Sequence, residues 1–345
     1  MMIKVSAELL ESFVFKVFKS VGMNDDHAKI IANHLVTANL RGVDSHGIIR
    51  VRVYLNGIKD GLINPQPKIK AISNGPTYAI LDGDRGLGHI VAYEATRLAI
   101  EKAKENKVAL VGTRNHWHIG MLSYYILEVI KQDMIGICMA NSSPRVSLKG
   151  FTKGIVGTNP LAIGFPTPSF PLIYDGAMSV VSAGKILAYK KEGKSIPLGW
   201  AINKSGELTT DPDEALEGFL LPIGSYKGLD IALAIDILCG IVMGGNVGLK
   251  LPRTLFTQGG FTLITFRIDA FKDIKEYYEE VKHYIKMLKD IKGRKGQELI
   301  LPGEREAKFY EERIREGIPL PKEVYKELVN ISKEYLGSNM LQINK

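Results

Sequence analysis

Cysteine is nearly absent from this 345-residue chain: only Cys138 and Cys239 occur, each inside an apolar run. That excludes a disulfide-built scaffold and leaves no cysteine set for a metal centre, so both thiols read as core residues and no metal site is expected. No stretch reaches the ~18 uninterrupted apolar residues that a membrane-spanning helix needs. The start, from Met1 to Glu8, lacks the basic-then-apolar order of a secretory leader, because Glu8 and Glu11 come too early. The chain therefore reads as cytoplasmic. What is present is a globular balance, 45% hydrophobic and 24% charged, in a length that suggests two domains.

The charge of one sign is also not concentrated. The net charge is +8, but Lys and Arg alternate with Asp and Glu in runs such as KDIKEYYEEVKHYIKMLKDIKGRKGQE. That is a solvated, ion-pair-laced helical face, and no nucleic-acid module accompanies it. A diffuse positive field suits small anionic substrates and a pyrophosphate cofactor instead. Scarce cysteine with abundant Lys, Glu and Ile also fits a heat-adapted organism.

A third missing feature is the dinucleotide fingerprint. LDGDRGLGHIVAYEATRLAIEKA has a strand, a glycine cluster and a helix. Its spacing, Gly83-x-x-Gly86-x-Gly88, is not G-x-G-x-x-G, and no acidic residue ends the next strand. The cluster reads better as a tight turn with close helix–strand packing.

Hydrophobic periodicity predicts helices through residues 6–74, with Ser6 capping the first, Asn24-Asp25-Asp26 opening the second and a third over about 48–59. From about residue 75 strands and helices alternate: TYAILDG, a helix over 89–104, VALVGT, a helix over 122–130, then MIGICMA. That alternation predicts an α/β layer. Further helices are expected over 179–191 and 228–243, then a strand at GFTLITFRID. Amphipathic helices follow over 277–288, 305–315 and 322–335. We expect a helical domain of residues 1–74 completed by 290–345, around an α/β cofactor-binding domain of 75–289.

Two histidines carry chemical interest. His118, in TRNHWHIGML, follows a strand, where α/β proteins place chemistry, and imidazole can move an alcohol proton near neutrality. Alone, a loop histidine is more often only a surface residue. His46, in RGVDSHGIIR, clusters with Ser45 and Arg50, and arginine grips carboxylates in a planar fork. The same cluster can be a helix cap. The small-residue helix SYKGLDIALAIDILCGIVMGG can serve packing, a subunit interface or a cofactor face, and periodicity does not decide.

Taken in order, RGVDSHGIIR, LDGDRGLGH, RNHWHIG, MIGICMANSSP, GTNPLAIGFP, DGAMS, GKSIPLGWAINKSGELTTDP, LLPIGSYKG and LPGE resemble the malate/L-lactate dehydrogenase family of the second type. That family also holds ureidoglycolate, sulfolactate and diketogulonate oxidoreductases and a cyclic imino acid reductase. The resemblance implies a non-Rossmann, three-layer α/β/α fold with a mixed sheet, plus a helical domain from both termini. It implies a homodimer, a small anionic substrate and NAD or NADP as cofactor, with no nucleic-acid or membrane partner. By position, His118 matches the catalytic histidine, and Ser45, His46 and Arg50 the segment lining the substrate region. Ser142, Asp175, Gly176, Ala177, Pro222, Gly303, Glu304 and Arg305 match cofactor-contacting positions.

This chain departs from the family pattern at His116-Trp117, Gly176-Ala177-Met178, Leu229-Asp230 and Leu148–Phe151. The activity implied is NAD(P)-dependent interconversion of a small L-2-hydroxy acid and its 2-oxo acid. The alternatives are an imino acid reductase of the same fold and a catalytically weakened cofactor-binding homologue.

Overall fold

The computed structural model describes residues 2–252, 259–294 and 297–342; residues 343–345, the end of the expected C-terminal helical part, lie outside them. The chain opens with strand β1 (Met2–Val5), then helices α1 (Ala7–Ser20), α2 (Asp25–Leu40) and α3 (Val51–Lys59). Ser6 caps α1 by accepting the Leu9 N–H at 3.2 Å, and Asn24 caps α2 through the His27 N–H at 2.8 Å. Each cap satisfies a donor the helix itself cannot pair. Between α2 and α3 the chain makes two short 3₁₀ turns, Asp44–His46 and Ile48–Arg50.

The body follows with β2 (Lys70–Asn74), β3 (Tyr78–Gly86), α4 (Gly88–Asn106), β4 (Val108–His116), α5 (Leu122–Ile130), β5 (Met134–Ala140), β6 (Leu161–Phe165) and β7 (Leu172–Gly176). Then come α6 (Ala183–Lys191), β8 (Ala201–Ile202), β9 (Leu208–Thr209), α7 (Pro212–Glu217), β10 (Phe219–Leu220) and α8 (Tyr226–Asp236), which runs into a π-helical turn, Ile237–Val242. β11 (Phe261–Arg267), α9 (Ile274–Asp290), α10 (Glu304–Glu316), β12 (Ile318–Pro321) and α11 (Lys322–Leu336) complete it.

Seven strands form one sheet in the order β2-β3-β4-β11-β5-β6-β7. Only β3 and β4 run parallel, joined by α4, and every other neighbouring pair is antiparallel. The sheet is therefore mixed, as expected. One face packs on α4 and α5 through Ala95, Ala99, Ile126 and Val129. The other face meets α8, its π turn and the small sheet β10-β8-β9 through Met139, Ile235 and Cys239. This is the three-layer α/β/α arrangement without the parallel Rossmann order.

A separate apolar core joins Phe13 and Val17 of α1, Ile31 and Leu35 of α2, Tyr54 and Leu55 of α3, and Leu328 and Ile331 of α11. Each such fully buried side chain contributes roughly 1.5–3 kcal/mol. Leu87, Ile90 and Trp117 of the body enter the same core, so the helical layer is sealed against the end of β4.

Four local expectations change. Residues 70–74 are strand, not helix, pairing with β3 at the sheet edge. β1 pairs with β12, which the two prolines Pro319 and Pro321 hid from a strand reading. Residues 179–182 are not helical, because Ser179 bridges to Pro222 instead. The single helix expected over 228–243 is α8 followed by a π turn. Gly83 and Gly88 do serve close packing: a Cβ on Gly88 would stand 2.1 Å from the Trp117 carbonyl oxygen.

Candidate active site

His118 sits two residues past the end of β4, in the loop that leads to α5. The loop is pinned by its neighbour. His116 is buried, its Nδ1 2.9 Å from the Trp117 carbonyl oxygen and its Nε2 2.7 Å from Thr113 Oγ1. Nδ1–H therefore donates to the carbonyl and Nε2 accepts from the hydroxyl, which fixes the tautomer. Burial pushes the His116 pKa down to about 4, so it is a neutral strut and not a proton carrier.

His118 Nδ1 is hydrogen-bonded to the Tyr54 hydroxyl at 2.7 Å. Tyr54 belongs to α3, is 1% exposed, and burial drives its pKa upward, so it stays a neutral phenol. The partner of Nδ1 fixes the ring and leaves Nε2 as the nitrogen open to a substrate. Although part of the His118 surface stays accessible, enclosure lowers its pKa well below the ordinary imidazole range. His46, His89 and Arg50 add to that by repelling a second positive charge.

The 3₁₀ turns after α2 bring the Ser45–Arg50 cluster to the same place. The His46 and His118 rings stack with centroids 5.5 Å apart and planes 24° from parallel. Ser45 Oγ lies 2.9 Å from His46 Nδ1, and the Arg50 Nε–H donates to the Ser45 carbonyl oxygen at 2.7 Å. Burial, and next the Arg50 charge, push the His46 pKa down to about 4. Among the described residues Arg50 forms no ion pair with any carboxylate, so its terminal nitrogens are uncommitted.

The residues matched to cofactor positions form a second, adjoining group. The Thr158 N–H donates to Ser142 Oγ at 3.1 Å, the Met178 N–H to the Thr158 carbonyl at 2.7 Å, and the Ile223 N–H to the Met178 carbonyl at 2.9 Å. This string runs past Ala177 to Pro222, which bridges to Ser179. At the other end of the segment, Asp175 accepts the Ser123 N–H at 2.8 Å, capping the first turn of α5 five residues after His118. Enclosure of its carboxyl raises the Asp175 pKa, against the opposing pull of Ser123 and Arg41.

Gly303 nestles on β7, where a Cβ would meet the Pro171 carbonyl at 2.2 Å, and the Ile173 N–H reaches the Pro302 carbonyl. Glu304 is tied to Lys289, Lys308 and the Leu301 N–H. Although partial burial works against it, these donors bring its pKa down to about 2. Arg305 is exposed and pairs with Glu306. The two groups come near each other where Gly184 of α6 faces Ser45: a Cβ built on Gly184 would stand 3.9 Å from the Ser45 Cβ.

Sequence reasoning missed three members of the site. Tyr54 stands four residues after Arg50, about one helical turn into α3, a spacing that sets the two side chains on one side of the helix. His34 and His89 carried no local signal, because only the packing of α2 and α4 brings them behind His118.

A half-buried histidine with one open nitrogen, next to an uncommitted guanidinium, suits the chemistry of alcohols and carbonyls that carry an acid group. On a mixed, non-Rossmann sheet it points to the hydroxy-acid oxidoreductases. A sequence profile of the malate/L-lactate dehydrogenases matches residues 5–329. A malate dehydrogenase of Pyrococcus horikoshii is 39% identical over 344 residues, covering 96% of this chain and 95% of that protein. The solved sulfolactate dehydrogenase of Methanocaldococcus jannaschii superposes with a TM-score of 0.91 at 37% identity, covering 99% of this chain and 98% of that one. The delta1-piperideine-2-carboxylate reductase of Pseudomonas syringae shares the fold, with a TM-score of 0.85 at 24% identity over 95% of this chain and 99% of that one. The chain belongs to the malate/L-lactate dehydrogenase family and is a 2-hydroxy acid dehydrogenase. The family implies a nicotinamide cofactor.

Proposed function

We propose that this protein interconverts a small L-2-hydroxy acid and its 2-oxo acid, with NAD or NADP as the hydride carrier. The observation that carries the reading is the His118–Tyr54 hydrogen bond beside an Arg50 that, among the described residues, no carboxylate engages. The similar proteins named for malate and sulfolactate both concern 2-hydroxy acids with a second acid group, and we extend that substrate class to this chain.

The residues divide the work. Arg50 grips the substrate carboxylate through its two free nitrogens. Ser45 and His46 orient that guanidinium and line the same wall. Tyr54 holds the His118 ring so that Nε2 faces the oxygen on substrate C2. During reduction Nε2 gives its proton to the carbonyl oxygen, and during oxidation it removes the proton from the alcohol. The nicotinamide, when bound, supplies or accepts the hydride at C2. The string from Ser142 to Pro222 suits that cofactor: Ser142 and Thr158 offer hydroxyls, while Gly176 and Ala177 expose backbone rather than bulky side chains. Asp175, by capping α5, keeps this string in register with the His118 loop. Gly303, Glu304 and Arg305 border it from the β7 side.

Among the described residues no helix is long and apolar enough to cross a membrane, and we read the protein as cytoplasmic. We also read it as a homodimer. α8 and its π turn leave Ile231, Leu233, Ile237, Ile241 and Val242 exposed, apolar surface that a two-fold partner would cover.

The test is a steady-state panel of oxaloacetate, sulfopyruvate, pyruvate and a cyclic imino acid, each with NADH and with NADPH. The reading expects turnover of at least one 2-oxo acid well above the imino acid. Turnover of the imino acid alone would replace the carbonyl with a C=N bond as the reacting group. Cofactor binding without turnover of any substrate would leave a weakened homologue.

A further inference from the structure

α10 carries several cations, and one of them is turned inward. Arg313 has a side chain only 12% exposed, whereas Arg315, two residues on, is 75% exposed and pairs with its neighbour Glu316. The Arg313 guanidinium lies over the ring of Phe309, one helical turn earlier, at 5.3 Å from its centre. Phe309 in turn covers Gly42, just past the end of α2. At φ +77° that glycine has no room for a side chain, because a Cβ would stand 2.5 Å from the Phe309 ring. The inner side of α10 is thus seated on the chain reversal that leads to the Ser45–Arg50 cluster. Arginine is seldom enclosed unless it is paired. The partner here is Asp44, 269 residues away in sequence and half exposed. Ion pairs at the surface add little to stability. The burial of Arg313 therefore asks for a reason in what Asp44 begins.

Asp44 opens the first 3₁₀ turn, and it is gripped from two sides. The Arg313 Nη1–H donates to Asp44 Oδ1 at 2.7 Å and the Nη2–H to Oδ2 at 3.2 Å, a two-pronged contact that fixes direction as well as distance. Nη1 also donates to the Asn39 carbonyl, in the last turn of α2, where carbonyls lack partners within the helix. The Asn39 side chain then ties both ends of the turn to α2. Its Nδ2–H donates to Asp44 Oδ1 at 2.6 Å, and its Oδ1 accepts the Ile48 N–H at 2.8 Å. Gly47 passes so close that a Cβ would stand 2.0 Å from Asn39 Oδ1. Between these ties lies Ser45, whose carbonyl accepts the Arg50 Nε–H at 2.7 Å. The place of the Arg50 guanidinium thus follows from that of Ser45, and the place of Ser45 from the grip on Asp44.

We propose that Arg313 is a positioning residue for acid binding: its fork on Asp44 holds the turn so that the free nitrogens of Arg50 meet the substrate carboxylate. This rests on the 2-oxo acid reading of the site. Arg313 does not itself touch the substrate; it acts through Asp44, the Ser45 carbonyl and Arg50. The helix that carries it is well placed for this. α10 starts at Gly303, seated against β7, and the ten residues from there to Arg313 span roughly 15 Å of helix. One straight element therefore rests on the cofactor side at its start and on the acid-binding turn near its end. Loss of the fork leaves the Gly303 end in place and frees only the turn, so its effect belongs to the acid and not to the cofactor.

The test combines steady-state kinetics, on whichever 2-oxo acid the wild type turns over, with backbone hydrogen exchange over residues 43–50. Arg313→Met keeps an unbranched stem on Phe309 and removes the fork. Its KM for the acid should rise about tenfold, with turnover down by no more than about threefold and KM for the nicotinamide within about twofold. Exchange should quicken over 43–50 and stay as in the wild type in α2 and α10. Arg313→Lys keeps the charge without the fork and should fall between the two. Asp44→Asn, which cuts the same link from the other side, should raise KM for the acid in the same way. Combining it with Arg313→Met should add little, since both changes break one connection. Arg315→Met, on the outer side of the helix, should match the wild type. If Arg313→Met does not fold, Arg313→Lys and Asp44→Asn carry the same test. An unchanged KM for the acid in the variants would overturn the proposal while sparing the 2-oxo acid reading. Equal losses for acid and cofactor, with faster exchange throughout α2 and α10, would also overturn it, by making Arg313 a general brace of the fold. Losses that multiply in the double variant would do the same, by separating Arg313 from Asp44. A wild type that turns over no 2-oxo acid would overturn both.

Discussion

Tyr54 shows what a residue can do without touching substrate. Its hydroxyl is the partner of His118 Nδ1, and it comes from a different layer of the fold than the histidine it holds. Tyr54→Phe keeps the buried ring and deletes that bond. Turnover should fall by about 10- to 100-fold, the scale seen when an outer orienting partner is lost, with little change in KM. Steady-state kinetics on the variant checks this; an unchanged turnover would mean that packing alone orients His118. Arg50 makes the complementary case. Arg50→Lys keeps the charge and loses the fork, so KM for the acid should rise about tenfold or more while turnover falls less. If KM for the acid holds and cofactor affinity drops instead, Arg50 serves the cofactor. Ser45, His46, Arg50 and His118 were legible in the sequence because they sit in two compact motifs, and the structure brings those motifs into contact. Tyr54, His34 and His89 were not, since their place depends on how three helices pack across the end of β4.

At the scale of elements, periodicity located those whose pattern is long and local. The α5 helix and the β5 strand fall at the expected residues, because each is a local, largely apolar run that the fold buries. Pairing between distant segments was invisible. β1 finds β12 at the far end of the chain, and β2 forms the sheet edge with a mostly exposed face that carries no apolar alternation. Backbone strain was equally hidden. Ser225, just before α8, adopts φ 60° and ψ −126°, a conformation that glycine takes freely and other residues take at a cost. It makes no cap hydrogen bond there. Ser225→Gly should therefore stabilise the protein by about 1 kcal/mol, after subtracting the extra freedom glycine has when unfolded. A urea unfolding midpoint that rises at constant slope would agree. A lowered midpoint would show that the serine side chain contributes more than its backbone costs.

For the whole molecule, the helical layer from both ends of the chain encloses Tyr54 and Trp117 and closes the site on one side, while α8 presents its apolar face outward. Placing an acid among these exposed side chains tests the assembly. Ile241 is 64% exposed, so Ile241→Asp should leave a single chain folded and convert a dimer to monomer in sedimentation velocity. An unaltered dimer would place the interface elsewhere, and a monomeric wild type would remove it. The central claim, that His118 is the proton-transfer group of a hydroxy-acid dehydrogenase, is tested most directly by single-turnover oxidation of pre-bound reduced nicotinamide. The wild type and His118→Ala would each be mixed with whichever 2-oxo acid the wild type turns over. The rate of hydride transfer should fall by about 10²- to 10⁴-fold in the variant, with cofactor affinity nearly unchanged. Equal rates in the two proteins would contradict the account.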